Sequence, residues 1–358
     1  MVPPAEGGGM ERKMRNRTSV LRLLMLAAVL LVLGAGAGCG QTAAEENRKI
    51  KIGVSVYDQY DTFISELMNC FQEDAALEKD RVSITVVNAA KNQQTQNKQV
   101  EDMIRDGCDV ICVNLVDRTA PSKIIDIARK NDVPVVFFNR ELVEEDLYRW
   151  DRLYYVGADA FESGILQGKA AAEHCLHDPK TDKNGDGSIQ YIILEGEAGH
   201  QDAIVRSEYC VNTLLEEGVQ LEKLGYALAN WNRTQAQTKM SQMLSQYGNS
   251  IELILANNDD MALGAIDAYK EAKIPQSRWP VIVGIDGTST GLAAVRAGEL
   301  TATVYNDQRG QAGAMFRLAE ALGSGKDLGG FDLIDGKYIR LPYEMITAEN
   351  AEAYENKQ

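Results

Sequence analysis

The sequence predicts an α/β protein built from two doubly wound parallel-sheet domains, joined by a hinge that the chain crosses several times. Three observations predict it. The chain has 358 residues, too many for one ordinary core and about right for two. Short β-branched runs alternate with longer amphipathic stretches along nearly its whole length. The β-branched runs are almost continuously apolar, as strands covered by helices on both faces must be.

In chain order the expected strands are "IKIGVSV" (50–56), "VSITVV" (82–87), "DVICVN" (109–114), "VPVVFF" (133–138), "LYYVG" (153–157), "QYIILEG" (190–196), "IELILA" (251–256), "VIVGID" (281–286) and "TATVY" (301–305). Helical periodicity is clear in "AFESGILQGKAAAEHCLH" (160–177), "DAIVRSEYCVNTLLEEG" (202–218) and "DMALGAIDAYKEA" (260–272). In open parallel sheets, ligands sit beyond the carboxyl ends of the strands, so the residues just after each run are where function belongs. Tyr57 and "DQYDTF", Asn114, "EAGHQDAIVR", "NNDD", Asp286 and "NDQ" occupy those positions. Any one Asp or Asn there could be a helix N-cap; their recurrence favours a ligand. Carboxylates, amides and an Arg suit a polyhydroxylated molecule, whose hydroxyls both donate and accept. Phe63, close to Asp61, and Trp231, in polar "LANWNRTQ", add rings for its apolar C–H faces.

The N-terminus is different in kind. Basic "ERKMRNR" (11–17) precedes fifteen apolar residues, Leu23 to Ala37, and small residues lead to Cys39. That is the layout of an export signal over residues 1–38, too short for a membrane span of about 20 residues. It resembles a bacterial lipoprotein signal, which implies lipidation of Cys39 and a membrane association through the lipid alone; Gly36, where such signals usually carry Leu, is the departure. Residues 39–49 form a polar tether. Loss of residues 1–38 removes five bases and two acids and takes the formal charge from −15 to −18. So acidic a body excludes phosphate-backbone binding to nucleic acid. Beyond Cys39 five Cys remain, an odd number. Cys108 and Cys112 stand about 13 Å apart on a strand, too far for a disulfide, and read as buried small hydrophobes.

"DKNGDGSIQ" (182–190) carries oxygen donors at alternate positions, Asp182, Asn184 and Asp186, with Gly187 at a sharp turn. An EF-hand closes with a Glu at position twelve; here that position is Ile193, so the loop alone is an incomplete calcium site.

Taken in order, "VNLVDR" (113–118), "VPVVFFN" (133–139), "YYVGADAFESGILQG" (154–168), "KNGDGSIQ" (183–190), "LEGEAGHQDA" (194–203), "ANNDDMALGA" (256–265), "VGIDG" (283–287) and "TVYNDQ" (303–308) resemble the bacterial periplasmic galactose/glucose-binding proteins, the type I periplasmic binding proteins that act as substrate receptors of sugar ABC transporters. The resemblance runs from about Ile50 to Tyr343. It implies a monomeric receptor for D-galactose or D-glucose that delivers the sugar to a membrane permease, and for some members a chemotaxis receptor as a further partner. It implies sugar contacts from Asp61, Asn114, His200, Asp202, Arg206, Asn258, Asp286 and Asn306, with Phe63 and Trp231 covering the two faces of the ring. It also implies a structural Ca2+ held by Asp182, Asn184, Asp186, the Ser188 carbonyl, Gln190 and a distant Glu252. Its lobes are expected at 50–133 plus 307–341 and at 134–306 plus 342–358, with crossings near Val133, Asn306 and Leu341. Gln201 and Thr62 replace the usual Pro and Asn of that family. A ribose or xylose receptor is the runner-up.

An enzyme reading fails on order. "GTSTG" (287–291) matches a nucleophile elbow, but the histidines, His174, His177 and His200, all precede Ser289, whereas hydrolases of that kind place His after Ser. Asp61 and Asp286 as a glycosidase pair remain a rival that a chromogenic galactoside would expose. A sugar-responsive repressor would need a DNA-binding head and a basic face, and the chain shows neither.

Overall fold

The computed structural model describes residues 1–3 and 48–357; the expected export signal and Cys39 lie outside them. The body runs from Ile50 to the C-terminus and contains two large sheets and a two-stranded one. No described helix is long and apolar enough to cross a membrane.

The first sheet is ordered β11-β5-β4-β3-β1-β2, from β1 (Ile50–Val56), β2 (Val82–Asn88), β3 (Val110–Val113), β4 (Val135–Phe138), β5 (Leu153–Ala158) and β11 (Tyr338–Leu341), all its pairings parallel. The second is β7-β6-β8-β9, from β6 (Ile189–Glu195), β7 (Leu221–Leu228), β8 (Leu253–Ala256) and β9 (Val281–Val283). β10 (Thr303–Asn306) joins it through single parallel bridges, Val283 to Ala302 and Asp286 to Tyr305, and pairs antiparallel with β12 (Tyr343–Ile346). Strands β3, β4, β6 and β8 are buried at every position, which is why β3, β4, β8 and the Tyr191–Leu194 stretch of β6 read as unbroken apolar runs.

The expected lobe boundary at Val133 is corrected. β4 and β5 stay in the first sheet, paired to β3 and to each other, so the first lobe extends to Ala158. "VPVVFF" is one more parallel strand of that sheet, and nothing in its composition says which sheet it joins. The chain crosses first between β5 and α5 (Ala160–His177), whose alanines pack in the second lobe's core. It crosses again between β10 and α10 (Gln308–Gly323), which packs on the first sheet, and a third time at Pro342, between β11 and β12. The last two passages lie beside Asn306 and Leu341.

Strand ends and helix starts are fixed together by side-chain caps. Asp61 accepts from the Ile64 amide at the start of α1 (Thr62–Leu77), Asn232 from Gln235 at α7 (Arg233–Tyr247), and Asn258 from Met261 at α8 (Asp259–Glu271). Cys108 and Cys112 are buried, and Cys70, Cys108, Cys112, Cys175 and Cys210 are all free thiols.

Asp259 ties three elements of the second lobe. It is fully buried, and its carboxylate accepts from Thr303 Oγ1 (2.6 Å), Thr288 N (2.9 Å) and Thr288 Oγ1 (3.3 Å). Asp259→Ala leaves those donors dry and unpaired, with an expected loss of about 3 kcal/mol by urea denaturation. Burial also pushes this carboxyl up from 3.8 to about 7. A raised folded value means that its contribution is full below the unfolded value and is lost as pH rises through about 7. The stability gap between wild type and Asp259→Asn should therefore change across that window and be flat on either side.

Candidate functional site

A narrow hollow lies where the carboxyl ends of strands from both sheets face each other. The first lobe lines it with Tyr57 after β1, Asp61 and Phe63 at the start of α1, and Asn139 and Arg140 after β4. The second lobe contributes His200, Asp202 and Arg206 from the loop and helix α6 (Gln201–Glu216) after β6. Trp231 after β7, Asn258 after β8 and Asp286 after β9 complete it. Three of these non-glycine residues hold left-handed backbone: Asn139 (φ 58°), Trp231 (φ 60°) and Asp286 (φ 116°). Such strain persists only where the surroundings hold it. Asp286 is held by its amide on the Val304 carbonyl (2.8 Å) and by Asn306 N on its own carbonyl (3.0 Å).

Charge is arranged for a neutral, hydroxyl-bearing guest. The Arg206 guanidinium is buried. Nη1 donates to the Asn257 carbonyl (2.8 Å) and sits 3.8 Å from Asp286 Oδ1; Nη2 donates to Tyr343 Oη (3.1 Å). Its Nε has no partner, and neither has His200 Nδ1, although both atoms are buried. Burial, with Arg140, Arg206 and Arg118 nearby, holds the His200 imidazole well below its ordinary range, so it stays neutral. Burial pushes the carboxyls of Asp202 and Asp286 up. Asp61 is half committed already: Oδ1 caps α1, and Oδ2 accepts from Tyr57 Oη at 2.6 Å.

The rings are positioned by close packing. His200 meets Trp231 edge to face, centroids 5.1 Å apart. The indole lies so close to Gly196 that a Cβ there would fall 2.1 Å from the ring, so only glycine lets Trp231 reach the hollow.

Of the residues singled out from sequence, Asp61, Phe63, His200, Asp202, Arg206, Trp231, Asn258 and Asp286 line this one space. Asn114 and Asn306 do not. Asn114 sits behind it, fully buried: Oδ1 accepts from Tyr57 N (3.3 Å), and Nδ2 donates to the Phe138 carbonyl (3.2 Å) and Asn139 Oδ1 (3.0 Å). Asn306 Oδ1 is taken by Gln311 Nε2 (2.6 Å). Both are strand-end amides spent on backbone and neighbours, and they position the liners. Asn139 and Arg140 are the liners that sequence reasoning missed; Tyr57 was picked out as a strand-end residue but given no contact. The signal for Asn139 and Arg140 was their place directly after the apolar run of β4.

Polar contacts also cross from lobe to lobe. Thr62 Oγ1 donates to Asp260 Oδ2 (2.7 Å), Ser289 N to Glu66 Oε1 (3.1 Å), and Arg140 Nη2 pairs with Glu197 Oε2 (3.0 Å).

The nine-residue loop lies at the other end of β6. Asp182, Asn184, Asp186, Gln190 and Glu252 converge there. Asn184 Nδ2 is 2.8 Å from Asp186 Oδ2 and 3.0 Å from Gln190 Oε1, and Gln190 Nε2 is 3.0 Å from Asp186. Glu252, 1% exposed, accepts from the amides of Lys183 (2.6 Å), Asn184 (3.3 Å) and Gln190 (3.0 Å). Gly185 and Gly187 supply the positive φ of the turn, at 74° and 85°. Among the described residues no three His, Cys, Asp or Glu side chains gather tightly enough to hold an ion by themselves. A cation here would need amide and carbonyl oxygens beside the carboxylates, an all-oxygen set that fits calcium.

Two α/β lobes, crossed three times by the chain and meeting over one polar, aromatic-lined slot, define a cleft-type ligand-binding protein. The periplasmic binding protein domain matches residues 52–327, and the chain belongs to that family, one of binding proteins rather than enzymes. It is 33% identical, over 91% of its length and 97% of the relative's, to the D-galactose/methyl-galactoside binding periplasmic protein MglB of Haemophilus influenzae. It is 31% identical to a putative rhizopine-binding protein of Rhizobium meliloti, over 91% and 98% of the two chains. Among solved structures, an ABC transporter solute-binding protein from Bacillus halodurans with bound myo-inositol superposes with a TM-score of 0.73 at 28% identity, covering 87% of this chain and 99% of that one.

Proposed function

We propose that this protein is the extracytoplasmic sugar-binding component of an ABC importer, that it closes on D-galactose or D-glucose, and that it hands the sugar to a membrane permease. The observation that carries this is the pair of buried, unpartnered polar atoms, His200 Nδ1 and Arg206 Nε, in a hollow that also holds Phe63 and Trp231. A buried polar group without a partner is costly, and a hydroxyl-rich ring supplies what both atoms lack. Asp61, Asp202, Asp286 and Asn258 accept from hydroxyls, and one aromatic ring from each lobe offers an apolar face to the C–H side of a pyranose. Since both lobes supply contacts, ligand favours the closed form over the open one. The MglB relative's galactoside supports a hexose; the relatives named for rhizopine and xylitol and the myo-inositol neighbour keep other polyols in the test panel.

Two further parts belong to this reading. A calcium ion held by Asp182, Asn184, Asp186, Ser188, Gln190 and Glu252 staples the loop to β8. A lipid on Cys39 keeps the receptor at the membrane.

Calorimetric titration with galactose, glucose, ribose, xylose and myo-inositol tests the function. One hexose should bind with at least tenfold preference over the pentoses. Trp231→Ala should weaken it about thirtyfold, near 2 kcal/mol. Unchanged affinity would move the site elsewhere.

A further inference from the structure

Arg140 stands in two relationships at once. Its guanidinium lines the hollow, and its Nη2 reaches across to Glu197, which follows β6 in the other lobe. Other ion pairs, such as Arg340 with Glu141 and Arg233 with Asp267, stay within one lobe.

The first lobe fixes the arginine in advance. Nη1 donates to the Val116 carbonyl (3.0 Å), the guanidinium carbon lies 3.5 Å from the centroid of the Tyr57 ring, and only 5% of the side chain is exposed. A planar guanidinium stacked and bonded in this way loses little freedom when it takes one more partner. Glu197 is placed for leverage. Its carbonyl accepts from His200 N (3.1 Å), so it belongs to the same turn as His200, and it directly follows the Gly196 that lets Trp231 in. Glu197 itself does not line the hollow. Pulling on Glu197 therefore draws the His200 turn toward the first lobe. Were the lobes to part, Arg140 would keep its two contacts within its own lobe, and Glu197 would return to water.

We propose that the Arg140–Glu197 pair is an interlobe clasp, made on closure, that sets how long the cleft stays shut over its ligand. The proposal rests on the sugar-receptor reading for its ligand but not for its first test. Arg140 thereby acts as a positioning residue as well as a liner: one guanidinium senses the guest and holds the door.

Glu197→Gln removes the charge, keeps the shape and leaves the hollow's lining intact. Without any sugar, small-angle scattering should give the variant a larger mean radius of gyration than wild type at low salt, and the gap should close as salt screens the pair. Equal radii at all salt concentrations would overturn the clasp even if no sugar bound. With galactose or glucose, stopped-flow fluorescence should show dissociation about tenfold faster in the variant and association changed by less than about twofold. Salt should speed dissociation from wild type but not from the variant. A purely structural Glu197 would lower thermal stability without that split; equal dissociation rates, or the same salt dependence in both proteins, would overturn the proposal.

Discussion

Arg206→Ala is expected to abolish sugar binding, with affinity falling a hundredfold or more, and to cost the apo protein about 3–5 kcal/mol. Both effects come from one arrangement. The Arg206 guanidinium is buried against Asp286, with Asp202 also close enough to feel its charge, and burial already pushes both carboxyls up. Removing the cation takes away the largest offset to two acids in a dry site and leaves Asp202 only the more distant Arg140 and Arg118, and Asp286 only its bond to Asn306. The pH dependence follows in sign. A carboxyl raised in the folded state contributes its stability below its unfolded value and loses it as pH rises through the folded one. The deficit of Arg206→Ala should therefore be smallest near pH 4, where both acids take up protons, and should widen toward pH 8. Arg206→Lys keeps a charge but not the fork that reaches the Asn257 carbonyl and Tyr343 Oη together. It should recover much of the stability and little of the binding. Thermal melts at both pH values and calorimetric titration check this; near-wild-type affinity in the alanine variant would remove Arg206 from the site.

The parts of this molecule that were legible in sequence are those in which one physical demand dominates. β1 and α5 could be bounded at Ile50–Val56 and Ala160–His177 because burial of a strand from its third residue on, or of one helix face, leaves a clear pattern. β7 escaped notice because it is an edge strand. Glu222 and Lys223 are exposed and only Ala227 is buried, so its sequence alternates weakly and resembles a loop. Yet β7 is what delivers Trp231, which sequence reasoning reached through its odd polar neighbourhood instead. The strand-end rule found most of the slot, since parallel sheets put every carboxyl end on one side. It could not separate an amide that faces a ligand from one that faces backward. Asn114 and Asn258 both follow apolar runs, and only the packing of Phe138 and Asn139 around the first shows that its bonds are spent. Lobe membership was not legible for β4, because a buried parallel strand looks alike in either sheet.

Chelation is the second large effect. With millimolar calcium and an affinity near the micromolar range, a site formed only in the folded protein adds about 4 kcal/mol, and a chelator should remove it. The physical ground is the crowding of acids at the loop. Asp182 accepts from the amides of Gly185 (2.6 Å) and Gly187 (2.9 Å), Asp186 from Ser188 N (2.8 Å), and Glu222 lies within reach of Gln190 Nε2 (3.1 Å), beside a buried Glu252. The amine of Lys183 does not neutralise them directly: Nζ donates to the carbonyls of Ile251 (2.6 Å) and Arg278 (3.3 Å). A divalent cation would. Melting temperature should rise on adding calcium to stripped protein and barely respond to magnesium, which gives up its waters reluctantly. Glu252→Gln should lose the calcium increment. Sugar affinity measured below the melting range should change little. Gln190 and the slot stand at opposite ends of β6, a seven-residue strand spanning roughly 20 Å, so an ion at the loop tightens one lobe without touching the guest. A melting curve indifferent to calcium would sink the staple and leave the receptor reading untouched.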